Sequence, residues 1–109
     1  VRKPRINTGF PIDYRSVAAD DVWISPFPGR ESATIAVHQF HTVATTRLFT
    51  ASESVFGRYE GRPHWGKRHS RTARDFAALY PEFGRFQALR RQLDPQGKFL
   101  NAHLRAIFE

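Results

Sequence analysis

The sequence predicts an α+β chain, antiparallel strands with packed helices, and three features carry that reading. Phe10 to Arg15 and Ala33 to His41 alternate or concentrate β-branched and apolar residues with a period of two, as half-buried strands do. From Thr45 or Thr46 onward the apolar residues recur at helical spacing instead. Between two helical stretches lie Gly61, Arg62, Pro63, His64, Trp65, Gly66, Lys67, Arg68 and His69, where two glycines and a proline forbid regular structure.

Taken in order, Val1 to Thr8 is polar and basic around Pro4 and reads as an extended lead-in. In the first strand Phe10, Ile12 and Tyr14 share one face, expected to be half buried, and Asp13 and Arg15 share the other. Neighbours of opposite charge on one sheet face form a surface ion pair worth no more than about 1 kcal/mol. Ala18 to Gly29 is irregular, with Pro26, Pro28 and Gly29 marking turns. The adjacent carboxylates Asp20 and Asp21 point apart in extended chain, so turn hydrogen bonding is assigned to them rather than a metal or acid/base pair. Trp23 and Ile24 are expected to cover a core edge beneath that loop.

The second strand, Ala33 to His41, places Ile35, Val37 and Gln39 on one face and Thr34, Ala36, His38 and Phe40 on the other. A helix follows to Tyr59, with Leu48, Ala51 or Ser52, Val55 and Tyr59 as its stripe and Gly61 as its C′ residue. After the loop, Thr72-x-x-Asp75 resembles a capping box and opens a short helix through Phe76 and Leu79 to Tyr80, stopped by Pro81. Glu82 to Leu93 is amphipathic, burying Phe83, Phe86, Leu89 and Leu93. Asp94-Pro95-Gln96-Gly97 is a turn, and Asn101 caps a last helix bearing Leu104, Ile107 and Phe108.

Composition sets limits. At 109 residues, with 40% hydrophobic residues and ten phenylalanines, the chain is one domain at most and can fill a modest core. Without cysteine there is neither a disulfide framework nor a thiolate metal site. No apolar run approaches the roughly 20 residues that cross a bilayer, and no signal-peptide core is visible, so a cytoplasmic or peripheral-membrane chain is expected. The absence of methionine marks the chain, as an expectation, as a piece of something longer. Its seven glycines form no G-x-G-x-x-G or G-x-x-x-x-G-K phosphate cradle. The formal charge of +7, gathered at Arg2 to Arg5, Arg62 to Arg74 and Arg90-Arg91, makes a nucleic-acid footprint the principal rival of any enzymatic reading. Against it stand the lack of a zinc finger, helix-turn-helix spacing or RNP-like aromatic motif.

Gly61-Arg62-Pro63-His64-Trp65-Gly66-Lys67 resembles the signature of the sugar-lactone and alditol oxidases, flavoproteins of the vanillyl-alcohol-oxidase type that include D-arabinono-1,4-lactone and L-gulono-1,4-lactone oxidases. Phe10 to Arg15, Ala18 to Asp21 with Ser25-Pro26, Ile35 to His38, Tyr80-Pro81 and Leu93-Asp94-Pro95…Gly97…Phe99…Asn101 fall in the order and approximate spacing of that family's carboxy-terminal part. The likeness implies a single fragment of a substrate (cap) domain, with a tail returning to the FAD domain: lead-in 1–8, strands and helix 9–60, signature loop 61–69, terminal helices 70–109. It implies FAD as cofactor, bound mainly by preceding sequence. It also implies an FAD-binding domain or subunit of the same enzyme as partner, a sugar lactone or polyol as substrate, and no activity for this chain by itself.

The resemblance further assigns roles. Lys67 is expected at the flavin and the pocket, with His64, Trp65 and Gly66 around it; Arg15, Asp13 and His38 are expected to line the substrate side. The family has Glu-x-Arg where this chain has Asp13-Tyr14-Arg15, and a carboxylate one methylene shorter is withdrawn from the substrate. A fixed cation beside a reduced flavin lowers the barrier to hydride transfer by preorganised electrostatics. Lys67 and Arg15 are therefore assigned charge stabilisation, and Asp13 and His38 the substrate hydroxyl, since arginine, with a pKa above about 12, is no base. Taken alone, His38 is a sheet residue, and His38/His41 fails as a metal pair because a separation of three reverses the face. His64 and His69, five apart with no third ligand nearby, make no zinc site either; His64 and Trp65 are expected to brace the loop, His69 to be solvated, and His103 is without an assigned partner. An alditol oxidase is the nearest competitor, and a basic nucleic-acid-binding module or a non-catalytic partner subunit the competitor from another class.

Overall fold

The computed structural model describes residue 6 and residues 8–109. Its element order is β1 (Asp13–Val17), β2 (Ser32–Ala36), α1 (Thr46–Gly57), α2 (Ala73–Leu79), α3 (Phe83–Leu93) and α4 (Ala102–Phe108). This is a small α+β architecture of two antiparallel strands and four helices, as the two periodicities require. The basic lead-in lies mostly outside the described residues.

The strands pair in the register Asp13↔Ala36, Tyr14↔Ile35, Arg15↔Thr34, Ser16↔Ala33 and Val17↔Ser32. Both are shorter than their alternation suggests. Pro11, two residues before β1, has no N–H to give a ladder, and on the other side the chain bends at Phe40, whose carbonyl accepts from Val43 N–H at 3.1 Å. Ala36 therefore ends β2, and His38 lies beyond the sheet. The expected burial is also reversed: Tyr14, Ile12 and Ile35 are 65%, 59% and 46% exposed, while Asp13, Val17, Ser32, Thr34 and Ala36 are half buried. Phe10 and Phe40 cover each other, ring centroids 4.4 Å apart, at the end of that exposed face.

The core belongs to the helices. Phe76, Tyr80, Phe83, Ile107 and Phe108 are buried in one cluster, with Ile24, Trp65, Leu79, Phe86, Leu100 and Leu104 packed around it. Phe76 and Tyr80 stack with planes 5° apart, and Phe108 meets the rings of Phe83, Phe86 and Trp65. The stripe of α3 splits: Phe83 is buried and Phe86 half buried, but Leu89 is 41% and Leu93 75% exposed, because α4 and α2 cover only the first turns. In α1, Leu48 is buried and Phe49, Ser52 and Phe56 are half buried; Val55 and Tyr59, expected in the stripe, face outward.

Helix ends follow the sequence closely. Asp75 accepts from Thr72 N–H at 2.8 Å, the reciprocal half of a capping box, and that bond holds its carboxyl below the usual range. Asn101 Oδ1 accepts from Leu104 N–H at 2.9 Å. At the end of α1 the left-handed residue is Glu60, with φ 53°, not Gly61. Gly61 N–H donates to the Phe56 carbonyl at 2.9 Å, so Glu60 is C′ and Gly61 the following residue. Glycine is needed there for closeness rather than dihedral freedom: a Cβ on Gly61 would sit 2.8 Å from the Phe56 oxygen. Asp94 closes the turn after α3, its carboxylate accepting from Phe99 and Lys98 N–H at 3.0 and 2.8 Å, which lowers its pKa.

Tyr80 links the core to the loop, donating its hydroxyl proton to the Pro63 carbonyl at 2.7 Å. Burial pushes its phenol up to about 12, so the folded state favours the neutral ring. The stability this contributes is complete below the ordinary value of 10.0 and is lost as pH rises through about 12. Tyr80→Phe in the full-length protein is expected to cost about 1–2 kcal/mol in urea unfolding at neutral pH by leaving a carbonyl unpaired. The same variant is expected to lose less stability than wild type between those two pH values.

Candidate functional site

The loop 61–69 holds three cations, and the fold consumes two of them. The Arg62 guanidinium donates to the carbonyls of Leu79 (2.8 Å), Pro26 (3.2 Å) and Pro28 (3.4 Å) and lies over the Tyr80 ring at 5.5 Å. Burial and then the neighbouring Arg30 lower its pKa. Arg68 donates to Thr45 Oγ1 at 2.6 Å and covers the Phe49 ring at 4.9 Å, which ties the loop to the start of α1. Lys67 is exposed, and among the described residues its ammonium has no hydrogen-bond or ion-pair partner. It stands at the end of a tight turn closed by its own N–H on the His64 carbonyl at 2.9 Å.

Trp65 anchors that turn. Its ring meets Phe108 edge-on at 5.8 Å and packs against the helical core, so it braces the loop as its sequence context suggests. His64 is exposed, its Nδ1 accepting from Gly66 N–H at 3.2 Å. Together with Val22, Ile24, Ser25 and Pro26, His64 and Trp65 line an apolar hollow of about 220 Å³ beside the turn. The floor of that hollow is held by Asp20, which accepts from Val22 N–H at 3.1 Å and Ser25 Oγ at 2.5 Å. The turn role assigned to Asp20 is thus met, while Trp23 leaves the core edge to lie under the Arg85 guanidinium at 4.5 Å.

On the sheet, Asp13 and Arg15 form an ion pair at 2.6 Å on one face, opposite Ala36 and Thr34. The arginine side chain is 73% exposed, so the pair contributes little to stability. His38 lies two residues past β2 and is exposed, outside the strand that was expected to carry it. The structure therefore joins Asp13 with Arg15, and His64 with Trp65 and Gly66. Among the described residues no hydrogen bond or ion pair connects Lys67 to Asp13, Arg15 or His38.

Two histidines behave otherwise than the sequence suggests. His69 is half buried: its Nδ1 accepts from Arg71 N–H at 3.1 Å, its Nε2 meets the Trp65 carbonyl at 3.3 Å, and its ring lies 5.4 Å from Phe76. His103 reaches the same carbonyl from α4 at 2.9 Å. Spacing alone carried no signal for this, since 38 residues separate His103 from Trp65. No group of three or more metal-ligating side chains occurs among the described residues, and no helix there is long and apolar enough to cross a membrane.

A lysine-bearing tryptophan turn and an acid–arginine pair on a strand are the charged features that this fold presents. The comparisons make the family specific. The profile of the D-arabinono-1,4-lactone oxidase family matches residues 1–107, and the chain belongs to that family. It is 42% identical over 107 residues to the L-gulono-1,4-lactone dehydrogenase of Mycobacterium tuberculosis, covering 98% of this chain and 25% of that protein. It is 36% identical to the L-gulonolactone oxidase of Bos taurus, covering 96% of this chain and 25% of that protein. To the alditol oxidase of a Streptomyces species it is 37% identical, covering 89% of this chain and 24% of that protein. The chain thus spans about a quarter of the length of these relatives.

The close approach at Gly61 makes a direct test of the loop's anchorage. Gly61→Ala is expected to destabilise the full-length protein by about 1–3 kcal/mol through overpacking against the Phe56 backbone. Trypsin cleavage at Lys67 and Arg68 should accelerate in parallel, read by limited proteolysis under native conditions.

Proposed function

We propose that this chain is the carboxy-terminal part of the cap domain of an FAD-dependent oxidoreductase that oxidises an alcohol of a sugar 1,4-lactone, with electrons passing to oxygen or another acceptor. The observation that carries the reading is the state of Lys67. Of the loop's cations, it is the one whose charge is left unspent among the described residues, while Arg62 and Arg68 are bound by their own chain. An unpaired ammonium on a turn anchored by a core tryptophan suits the electron-rich edge of a flavin. Gly66 beside it brings no side chain, and His64 and Trp65 supply the walls of the adjoining hollow.

When bound, the flavin supplies the hydride acceptor and gathers negative charge as it is reduced. Lys67 would hold a fixed positive charge against it, stabilising the transition state more than the ground state. Arg15 would fix the substrate oxygen electrostatically. Asp13, oriented by its 2.6 Å contact with Arg15, and His38 would orient the substrate hydroxyl or take its proton. The alditol oxidase likeness makes a polyol the nearest alternative substrate.

Lys67→Met in the full-length protein tests the assignment. The rate of flavin bleaching by L-gulono-1,4-lactone in anaerobic stopped flow is expected to fall by about 100-fold or more. An unchanged rate removes Lys67 from the mechanism. Arg15→Gln is expected to raise KM and lower the reduction rate, since its charge would act on bound substrate and more strongly on the transition state.

A further inference from the structure

We propose that His64, His69 and His103 form a clamp on one peptide group, the one joining Trp65 to Gly66, and that His69 and His103 are positioning residues for Lys67; the functional half of this rests on the role given to Lys67 above. The turn from His64 to Lys67 is closed by the Lys67 N–H on the His64 carbonyl at 2.9 Å, so the Trp65–Gly66 peptide is its central unit. Both ends of that unit are taken. Its N–H donates to His64 Nδ1 at 3.2 Å, and its carbonyl accepts from His103 Nε2 at 2.9 Å and from His69 Nε2 at 3.3 Å. Three of the chain's five histidines thus meet at one peptide plane.

The hydrogen-bond directions settle the ring states the clamp needs. His69 Nδ1 accepts the Arg71 N–H at 3.1 Å, so its proton is on Nε2, facing the Trp65 oxygen. His64 Nδ1 likewise accepts and carries no proton. His103 must donate from Nε2, because a carbonyl only accepts. The rings of His69 and His103 lie 5.4 Å apart, side by side over the oxygen they share.

A central peptide is the part of a tight turn that moves most freely. Rotating it exchanges the two common turn types while the closing hydrogen bond survives, and glycine in the third place favours the type with a positive φ there. Gly66 is in the third place, yet the positive-φ glycines are Gly29 and Gly97. Something overrides the glycine preference, and three imidazoles bonded to the two sides of the peptide are sufficient to do so. A flip would break all three bonds and loosen the turn on which Lys67 stands. The clamp also reaches across the fold: His103 stands on α4, whose Phe108 holds the Trp65 ring, so one helix fixes both the side chain and the carbonyl of Trp65.

Two measurements on the full-length protein test this. With histidine labelled by nitrogen-15, and its signal assigned by loss in His69→Gln, His69 is expected in the Nε2–H tautomer at neutral pH. An Nδ1–H tautomer or an imidazolium overturns the clamp. This readout needs no activity, so it judges the clamp even if the wild-type protein reduces no flavin and the oxidase reading falls. In the second, His103→Gln keeps a donor near the Nε2 position and His103→Leu removes it. The glutamine variant is expected within about 3-fold of the wild-type flavin-reduction rate. The leucine variant is expected to lose about 10-fold or more, with KM little changed, as misplacement of a charge by a fraction of an ångström does. Equal rates in the two variants, whether both high or both low, overturn the positioning role.

Discussion

The arrangement depends on one knot between a guanidinium and a phenol. Arg62 gathers the carbonyls of Pro26, Pro28 and Leu79, none of which has a strand or helix partner there, and spreads over the face of Tyr80. Tyr80 in turn gives its proton to the carbonyl of Pro63, next to Arg62 in the chain. An irregular loop, a helix end and the tryptophan turn are thereby fastened at one point. Buried carbonyls need donors, and arginine can serve several at once from a single rigid plane. Lysine in the same place would offer a point charge without the fork.

That knot explains why the loop's charges divide as they do. In the sequence Arg62, Lys67 and Arg68 form a basic cluster, but the cluster is not a field. Arg62 is structural mortar, Arg68 is stacked on Phe49, and the formal charge available to a ligand at this point is that of Lys67. Two of the charges that favour a nucleic-acid footprint are thus engaged by carbonyls, a hydroxyl and aromatic rings of the same chain.

The helices and their ends were legible in the sequence because they rest on local chemistry: Thr72 with Asp75, Asn101 with Leu104, Pro81 after Tyr80. The ends of the strands were not, because Pro11 and the bend at Phe40 act on the partner strand rather than on the residues that alternate. Burial was misread where it depends on what packs from afar. Leu93, Val55 and Tyr14 sit in apolar patterns that nothing among the described residues covers. Within the site, the brace formed by Trp65 was readable from its neighbours, whereas the meeting of His69 and His103 arises only from the docking of α4. The αL residue moved from Gly61 to Glu60 because a glycine can be required by crowding as well as by dihedral angle.

The two-stranded sheet has a further consequence. Among the described residues each strand pairs on one side only, so a row of peptide groups lies open along both margins, beside the bare rings and branched chains of Tyr14, Ile12 and Ile35. Such margins recruit further strands, and a lone hairpin is at best marginally stable in water. Where two copies of this segment meet, these margins are where pairing between chains would begin.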